Sequence, residues 1–340
     1  MESPLPLLGR FRSLIAGKKV LFLSHVRPDM DTLSSAMALA HFFSPESTPV
    51  FGVVEPLSDF QREQVRFFPI QPRVIDSLKG FDAIVCVDFR SPGQAGPLAN
   101  SLKSFGGTII LVDHHHPSPD EFSRVDLPFI TPQSVSTTQL VAQMGEAMGG
   151  TFTPPVSTAL AMGMITDSAR FMVANSHSFR VFDFLLTKSG RSYDEILARA
   201  VPVSSIHERV GVFHSMKDAR LISAGDFLFA SIASPSPTGQ IASALIQMGA
   251  DVGMCFSHSP TGIYASLRVS GRAHAELGYD AMHIILPLAH QHGGTGGGHA
   301  RAAQINLPPY FSEQMLVDRF ARELFMRVKK NHPRATMKIH

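Results

Sequence analysis

The apolar positions of the first two hundred residues follow two alternating rhythms. Residues 20–24, 50–54, 83–87 and 108–112 are short apolar runs rich in β-branched side chains, the signature of strands buried on both faces. Between and after them, residues 33–43, 136–148 and 156–165 repeat apolar side chains at helical spacing. Two more helical stretches follow, 178–188, stopped by Gly190, and 193–200. Strands alternating with helices predict a parallel α/β sheet.

From residue 201 to about 220 the chain turns more polar and carries no strand rhythm. A second set then begins, with strands at 227–233, 252–256 and 262–269, a helix at 240–248, a glycine run at 293–298 and a closing helix at 312–328. This pattern predicts an α/β domain over residues 1–200, a linker over 201–220 and a smaller α/β domain over 221–340. No internal repeat is visible, and the basic residues 329–340 read as a solvated tail.

Composition narrows the function classes. With 340 residues, 44% of them hydrophobic, the chain can bury a large core divided between two domains. Charged residues are 17% of the chain, the net charge is +2 and no long single-sign block occurs. Tight binding to duplex DNA is therefore not expected, whereas a small or short anionic ligand is allowed. The two cysteines, Cys86 and Cys255, lie in apolar runs far apart, which reads as reduced thiols in a cytoplasmic protein. The apolar stretch near the N-terminus is broken by Arg10, Arg12, Lys18 and Lys19, so neither a signal peptide nor a membrane span is expected. Pattern alone does not separate an exposed apolar face from a buried one, which leaves a homodimer open.

In open α/β sheets, ligands bind beyond the carboxyl ends of the strands, so polar residues there carry most information. After 20–24 come His25, Asp29 and Asp31; after 83–87 comes Asp88; after 108–112 come Asp113, His114 and His115. Asp167 follows the apolar segment 159–165 in the same way. One aspartate at such a place is most often a helix cap or a turn former, and a lone His25 would most often be structural. Convergence of so many carboxylates on one edge is different, because they repel one another unless cations sit among them. Oxygen ligands mixed with imidazoles and no thiolate favour manganese, with magnesium and cobalt the other candidates. Six or more ligands exceed what one ion takes. Two ions form the usual clamp for in-line displacement at phosphorus, where they generate hydroxide and neutralise phosphoryl charge.

The run Gly293-Gly294-Thr295-Gly296-Gly297-Gly298-His299 reads as a dense glycine loop whose backbone N–H groups would turn toward an anion. It lacks the Lys-Ser/Thr ending of a P-loop. Arg268, within the strand pattern 262–269, offers a fork to a phosphate or carboxylate. His283, His290 and His292 lie near the loop without an acidic partner in sequence and read as surface or packing residues.

Together these residues match a known pattern. The chain resembles the DHH phosphoesterases that carry the DHH-associated C-terminal domain, in particular the nanoRNase or phosphoadenosine-phosphate phosphatase branch. The matching parts are His25-Val-Arg-Pro28-Asp29-Met-Asp31 followed by Ser34-Ser35, then Val87-Asp88, Asp113-His114-His115, Ile165-Thr166-Asp167-Ser168 and Gly297-Gly298-His299. They span nearly the whole chain, and five motifs in order are far more specific than Asp-His-His alone.

The resemblance implies His25, Asp29 and Asp88 as ligands of one manganese and Asp31, Asp88, His114 and Asp167 as ligands of the other, with Asp88 the bridge. It implies that Asp113 orients the histidines and that His115 faces the scissile phosphate. In similar proteins the second domain closes over the first, so Arg268, Gly296, Gly297, Gly298 and His299 would hold the rest of the substrate. Three positions depart from the family habit. Met30 stands where glycine is usual, Ser34-Ser35 where glycine-serine is usual, and Ser168-Ala169-Arg170-Phe171 where a threonine-glycine pair is commoner.

The expected function is that of a manganese-dependent phosphoesterase hydrolysing short single-stranded oligonucleotides, nucleoside 3′,5′-bisphosphates or both. A processive exonuclease would carry further nucleic-acid-binding domains. A family II pyrophosphatase would hold its substrate with a basic cluster in place of the glycine loop and His299. A cyclic-dinucleotide phosphodiesterase needs only a different pocket. A catalytically silent nucleotide-binding regulator is the reading from another class; it would be expected to have lost a ligand, and none is missing.

Overall fold

In the computed structural model, which describes residues 5–115, 121–201, 205–234, 238–260 and 262–340, the chain forms two units, Met1–Pro202 and Val203–His340. The first contains α1 (Leu5–Ile15), β1 (Lys19–Leu23), α2 (Met30–Phe42), β2 (Thr48–Val53), α3 (Asp59–Val65), β3 (Arg73–Val74) and β4 (Ala83–Val87). It continues with α4 (Ala99–Lys103), β5 (Thr108–Asp113), β6 (Leu127–Ile130), α5 (Thr137–Ala147), α6 (Pro154–Asp167), α7 (Ser176–Ser189) and α8 (Tyr193–Ala200).

Its sheet has the order β3-β2-β1-β4-β5-β6, and every neighbouring pair is parallel. Parallel strands covered on both sides explain the uninterrupted apolar runs. Val20 and Phe22 of β1 join one core with the buried faces of α2, α5 and α6, while Leu21 and Leu23 join Ile84, Cys86, Leu98 and Leu102 on the other face. Both cysteines are buried and free. Because β1 sits between β2 and β4, the strand order reverses beside it, and the loops after β1 and β4 flank that crevice.

The helix after β1 starts earlier than its apolar rhythm because Asp29 caps it, accepting the Thr32 N–H at 3.0 Å. Met30 is thus the first residue of a helix, buried in the core, and is not among the residues with positive φ. Its replacement of glycine costs no backbone strain.

Strain lies elsewhere. Asp88 has φ +66°, and Ala169, Arg170 and Phe171 form a left-handed turn with φ of +51°, +60° and +66° directly after α6. The turn is held by Phe171, whose ring stacks on Phe179 at 5.3 Å and meets Phe182 edge-on at 4.6 Å. Ala169 is exposed and its methyl group is out of place there. Ala169→Gly is expected to stabilise the first unit by about 1 kcal/mol, seen as a rise in melting temperature of roughly 2–4 °C.

The second unit contains α9 (Ile206–Ser215), β7 (Arg220–Ala224), β8 (Phe227–Ala233), α10 (Thr238–Gln247), β9 (Val252–Ser259) and β10 (Gly262–Val269). After these come α11 (Gly271–Leu277), α12 (Ala281–Gln291), β11 (Thr295–His299), β12 (Ala302–Leu307), α13 (Glu313–Asn331) and β13 (Met337–Ile339). The sheet order is β11-β12-β10-β9-β8-β7-β13, antiparallel except for the parallel pair β8–β9. One face packs on α11, α12 and α13, the other on α10.

Three expectations change here. The polar stretch 201–220 contains helix α9. The basic tail is not free, since residues up to Asn331 extend α13 and Met337–Ile339 pair with β7 as an edge strand. The glycine run is not a loop: Thr295–His299 form edge strand β11, in register with β12 from Thr295↔Asn306 to His299↔Ala302.

Among the described residues, no helix is long and apolar enough to cross a membrane.

Candidate metal centre

Five elements deliver the acidic and histidine residues to one place. His25 follows β1, Asp29 caps α2 and Asp31 lies in its first turn. Asp88 follows β4, Asp113 ends β5 with His114 and His115 behind it, and Asp167 ends α6. The helix expected over 156–165 is α6, and Asp167 reaches the cluster from its last turn.

The functional atoms of His25, Asp29 and Asp88 lie within 4.8 Å of one another, as do those of Asp31, His114 and Asp167, and of Asp88, His114 and His115. Asp88 joins the groups through its two oxygens. Its Oδ2 is 3.7 Å from His25 Nε2 and its Oδ1 is 3.8 Å from His114 Nε2. His114 Nε2 is also 3.1 Å from Asp167 Oδ2 and 4.0 Å from Asp31 Oδ2.

The histidine tautomers suit cation binding. His25 Nδ1 donates to the Val26 carbonyl at 2.7 Å and His114 Nδ1 to the Ser134 carbonyl at 3.2 Å, which points both Nε2 atoms into the cluster. A metal-binding imidazole usually has its second nitrogen tied to a carbonyl in this manner. Asp113 is fully buried, and its Oδ1 accepts from the backbone N–H of His114 at 2.8 Å, from that of His115 at 3.2 Å and from His115 Nδ1 at 2.7 Å. It thus fixes the backbone of the Asp-His-His segment and the ring of His115, whereas the ring of His114 answers to Ser134. Arg90 holds the same segment from outside by donating to the His115 carbonyl at 2.9 Å.

Charge is concentrated enough to shift three of the carboxylates and all three histidines. Burial first, then Asp88 and Asp167, raise the Asp31 carboxyl well above the usual carboxylate range; burial and Asp88 raise Asp29. Asp88 goes the other way: burial opposes its ionisation, but the His25 bond and the charges of His115 and His114 outweigh it and hold its carboxyl low. Burial works against charging the histidines too, yet Asp88 and Asp29 push His25 up to about 9, and Asp167, Asp88 and Asp31 push His114 up to about 11. His115 is raised, with burial overcome by Asp113 and Asp88. A cluster that draws protons this strongly is a site for cations, and its oxygen-and-imidazole donor set fits a divalent first-row ion.

The model of the DHH family N-terminal domain matches residues 19–164, and that of the DHHA1 domain matches residues 225–326. The chain belongs to the DHH family. Among curated proteins, it is 26% identical over 168 residues to the bifunctional oligoribonuclease and PAP phosphatase NrnA of Mycoplasma pneumoniae, covering 47% of this chain and 49% of that protein. It is 24% identical over 317 residues to the cyclic-di-AMP phosphodiesterase GdpP of Geobacillus thermodenitrificans, covering 87% of this chain and 46% of that one. The matches span about half the length of these two relatives. Among solved structures, an exopolyphosphatase-related protein from Bacteroides fragilis shares the fold with a TM-score of 0.73, at 19% identity over 96% of this chain and 97% of that one.

The groups that hold the carboxylates of this centre in place carry no distinctive sequence signal. The N-terminus of α5 grips Asp31: the Thr137 N–H donates to Oδ2 at 2.7 Å, and Thr138 donates its N–H at 2.8 Å and its hydroxyl at 2.6 Å to Oδ1. Negative charge is favoured at a helix N-terminus. Gly163 of α6 makes this approach feasible, since a Cβ there would lie 2.4 Å from Thr138 Cγ2. The visible signal is a Ser136-Thr137-Thr138 run at the start of a helix, which reads equally well as an ordinary cap.

The expected substrate contacts lie in the second unit, which carries the DHHA1 domain. Arg268 is on β10, half-buried, and among the described residues has no carboxylate partner; burial lowers its pKa. Gly296, Gly297, Gly298 and His299 lie on β11, and the His299 side chain falls outside the described residues. The glycines differ. A Cβ on Gly296 would meet Ile285 at 2.6 Å, and one on Gly298, whose φ is +131°, would meet the Ala302 carbonyl at 2.3 Å, whereas one on Gly297 meets nothing within 4 Å. Gly298→Ala is therefore expected to destabilise the second unit by about 2 kcal/mol or more, and Gly297→Ala to leave the denaturant midpoint unchanged.

Proposed function

We propose that this DHH-family chain is a phosphoesterase that uses two divalent ions, manganese by preference, to hydrolyse short single-stranded oligonucleotides or nucleoside 3′,5′-bisphosphates. The observation that carries the reading is the position of Asp88, whose two oxygens face separate ligand sets, His25 and Asp29 on one side and His114 with Asp31 and Asp167 on the other. When bound, such a pair of ions supplies an activated water and neutralises charge on the phosphoryl oxygens.

The protein's own groups do the positioning. Asp113 holds the His115 proton on Nδ1, so that Nε2 is the ring atom offered to a phosphoryl or leaving oxygen. Arg268 supplies a planar fork to a further phosphate, and the missing side chain at Gly297 leaves room along β11 for a substrate backbone. A cyclic dinucleotide is the second reading, favoured by the similarity to a cyclic-di-AMP phosphodiesterase along 87% of this chain.

The test is turnover by the full chain, loaded with manganese, on adenosine 3′,5′-bisphosphate, a dinucleotide, a five-nucleotide RNA, a long single strand, a cyclic dinucleotide and pyrophosphate. Products confined to the short linear substrates support the first reading, and cleavage of the cyclic dinucleotide alone supports the second. A folded, metal-binding protein that turns over none of them overturns both.

A further inference from the structure

Two threonines outside the ligand sets divide the centre between them. Thr32 is fully buried in the first turn of α2, and its Oγ1 lies 2.6 Å from His25 Nε2, 2.6 Å from Asp88 Oδ2 and 3.2 Å from Asp29 Oδ1. These three partners are the complete first ligand set. Thr137, equally buried, donates its hydroxyl to Asp88 Oδ1 at 2.7 Å and its N–H to Asp31 Oδ2 at 2.7 Å, both in the second set. Each oxygen of the shared carboxylate therefore takes one threonine hydroxyl, and neither threonine touches the other set's own ligands.

A hydroxyl has one proton to give: while His25 Nε2 is protonated the Thr32 oxygen accepts from it, and once a cation takes Nε2 the hydroxyl is left to hold the carboxylates of Asp88 and Asp29. As a β-branched side chain in the first turn of a helix, Thr32 also has few rotamers, which fixes where its oxygen sits. Resting on the two-ion reading above, we infer that Thr32 and Thr137 are positioning residues that set the affinity of the two metal positions separately. Thr32 holds Asp29 and Asp88 Oδ2 in place beside His25, and Thr137 holds Asp31 and Asp88 Oδ1.

The test is calorimetric titration of the metal-stripped full chain with manganese, comparing Thr32→Val, Thr137→Val and the hydroxyl-retaining Thr32→Ser. The wild type is expected to take up two ions. Thr32→Val should weaken one of them by 10–100-fold, the usual effect of losing a residue that orients a ligand, and leave the other unchanged. Thr137→Val should do the reverse, and Thr32→Ser should restore binding. His25→Ala combined with Thr32→Val should lose no more than His25→Ala alone, because both act on one position.

Two ions bound by Thr32→Val as tightly as by wild type, or both ions weakened alike by either variant, overturn the inference while the two-ion reading stands. A wild type that takes up no manganese overturns both. If Thr32→Val does not fold, as judged by circular dichroism in chelator, Thr32→Ser against Thr32→Ala carries the same comparison.

Discussion

Asp88→Ala is expected to lower turnover of the preferred substrate by roughly three orders of magnitude, the upper end of what losing one preorganised electrostatic group costs. The substitution removes the carboxylate that both ligand sets share, and with it the acceptor of the Thr137 hydroxyl and the nearer carboxylate of Thr32. Metal uptake should fall at both positions at once, unlike the single-position losses expected of the ligands that belong to one set. Asp88 holds a left-handed backbone at φ +66°, which Asn tolerates better than Ala, so Asp88→Asn is the companion that separates lost charge from lost fold. Steady-state kinetics with metal analysis on both variants check this. Full activity in Asp88→Asn would refute the bridging role.

The second large effect is on stability. Ions that bind only the folded chain at about 100 times their dissociation constant add about 2.7 kcal/mol, which for the first unit means a melting temperature higher by roughly 5–10 °C. The pH dependence should change sign with the metal. Without metal, His25 and His114 keep their protons up to about 9 and about 11 when folded, but lose them near 6.5 when unfolded. Their contribution is complete below pH 6.5 and is lost as pH rises through those folded values, so metal-free stability falls with increasing pH. The raised carboxyls of Asp29 and Asp31 act in the same direction from the acid side, and Asp88, held low, supports folding above its ordinary range. With manganese, rising pH frees the ligands of protons and strengthens binding, so the metal increment grows. Melting curves from pH 6 to 8.5 in chelator and in manganese give both slopes. A metal-free melting temperature that rises over this range would contradict the cluster's charge balance.

Much of this was legible before any coordinates, for physical reasons that differ by element. β1, β2, β4 and β5 are buried on two faces and announce themselves as unbroken apolar runs. β3 and β13 have two and three residues, too few for any rhythm, and β6 contains Pro128, which marks an edge strand but breaks the apolar signal. In the second unit α12 is obscured by Pro287 and its histidines, and β12 by its small residues. The glycine run misled because glycines at 296 and 298 are needed for close packing in a strand, not for a turn. At the centre, the acids and histidines stood out because so many of them follow neighbouring strands, where one alone passes for a cap or a turn former. The threonines did not, because a threonine in a helix's first turn is ordinary wherever it occurs.

The spread of the ligands along the chain also sets an order of events during synthesis. His25, Asp29 and Asp88, with Thr32 among them, are all present once β4 has been made. The second set needs His114 and then Asp167 at the far end of α6. A growing chain would thus hold the parts of one half-centre long before the other, and only the arrival of α6 would lock the unit around both.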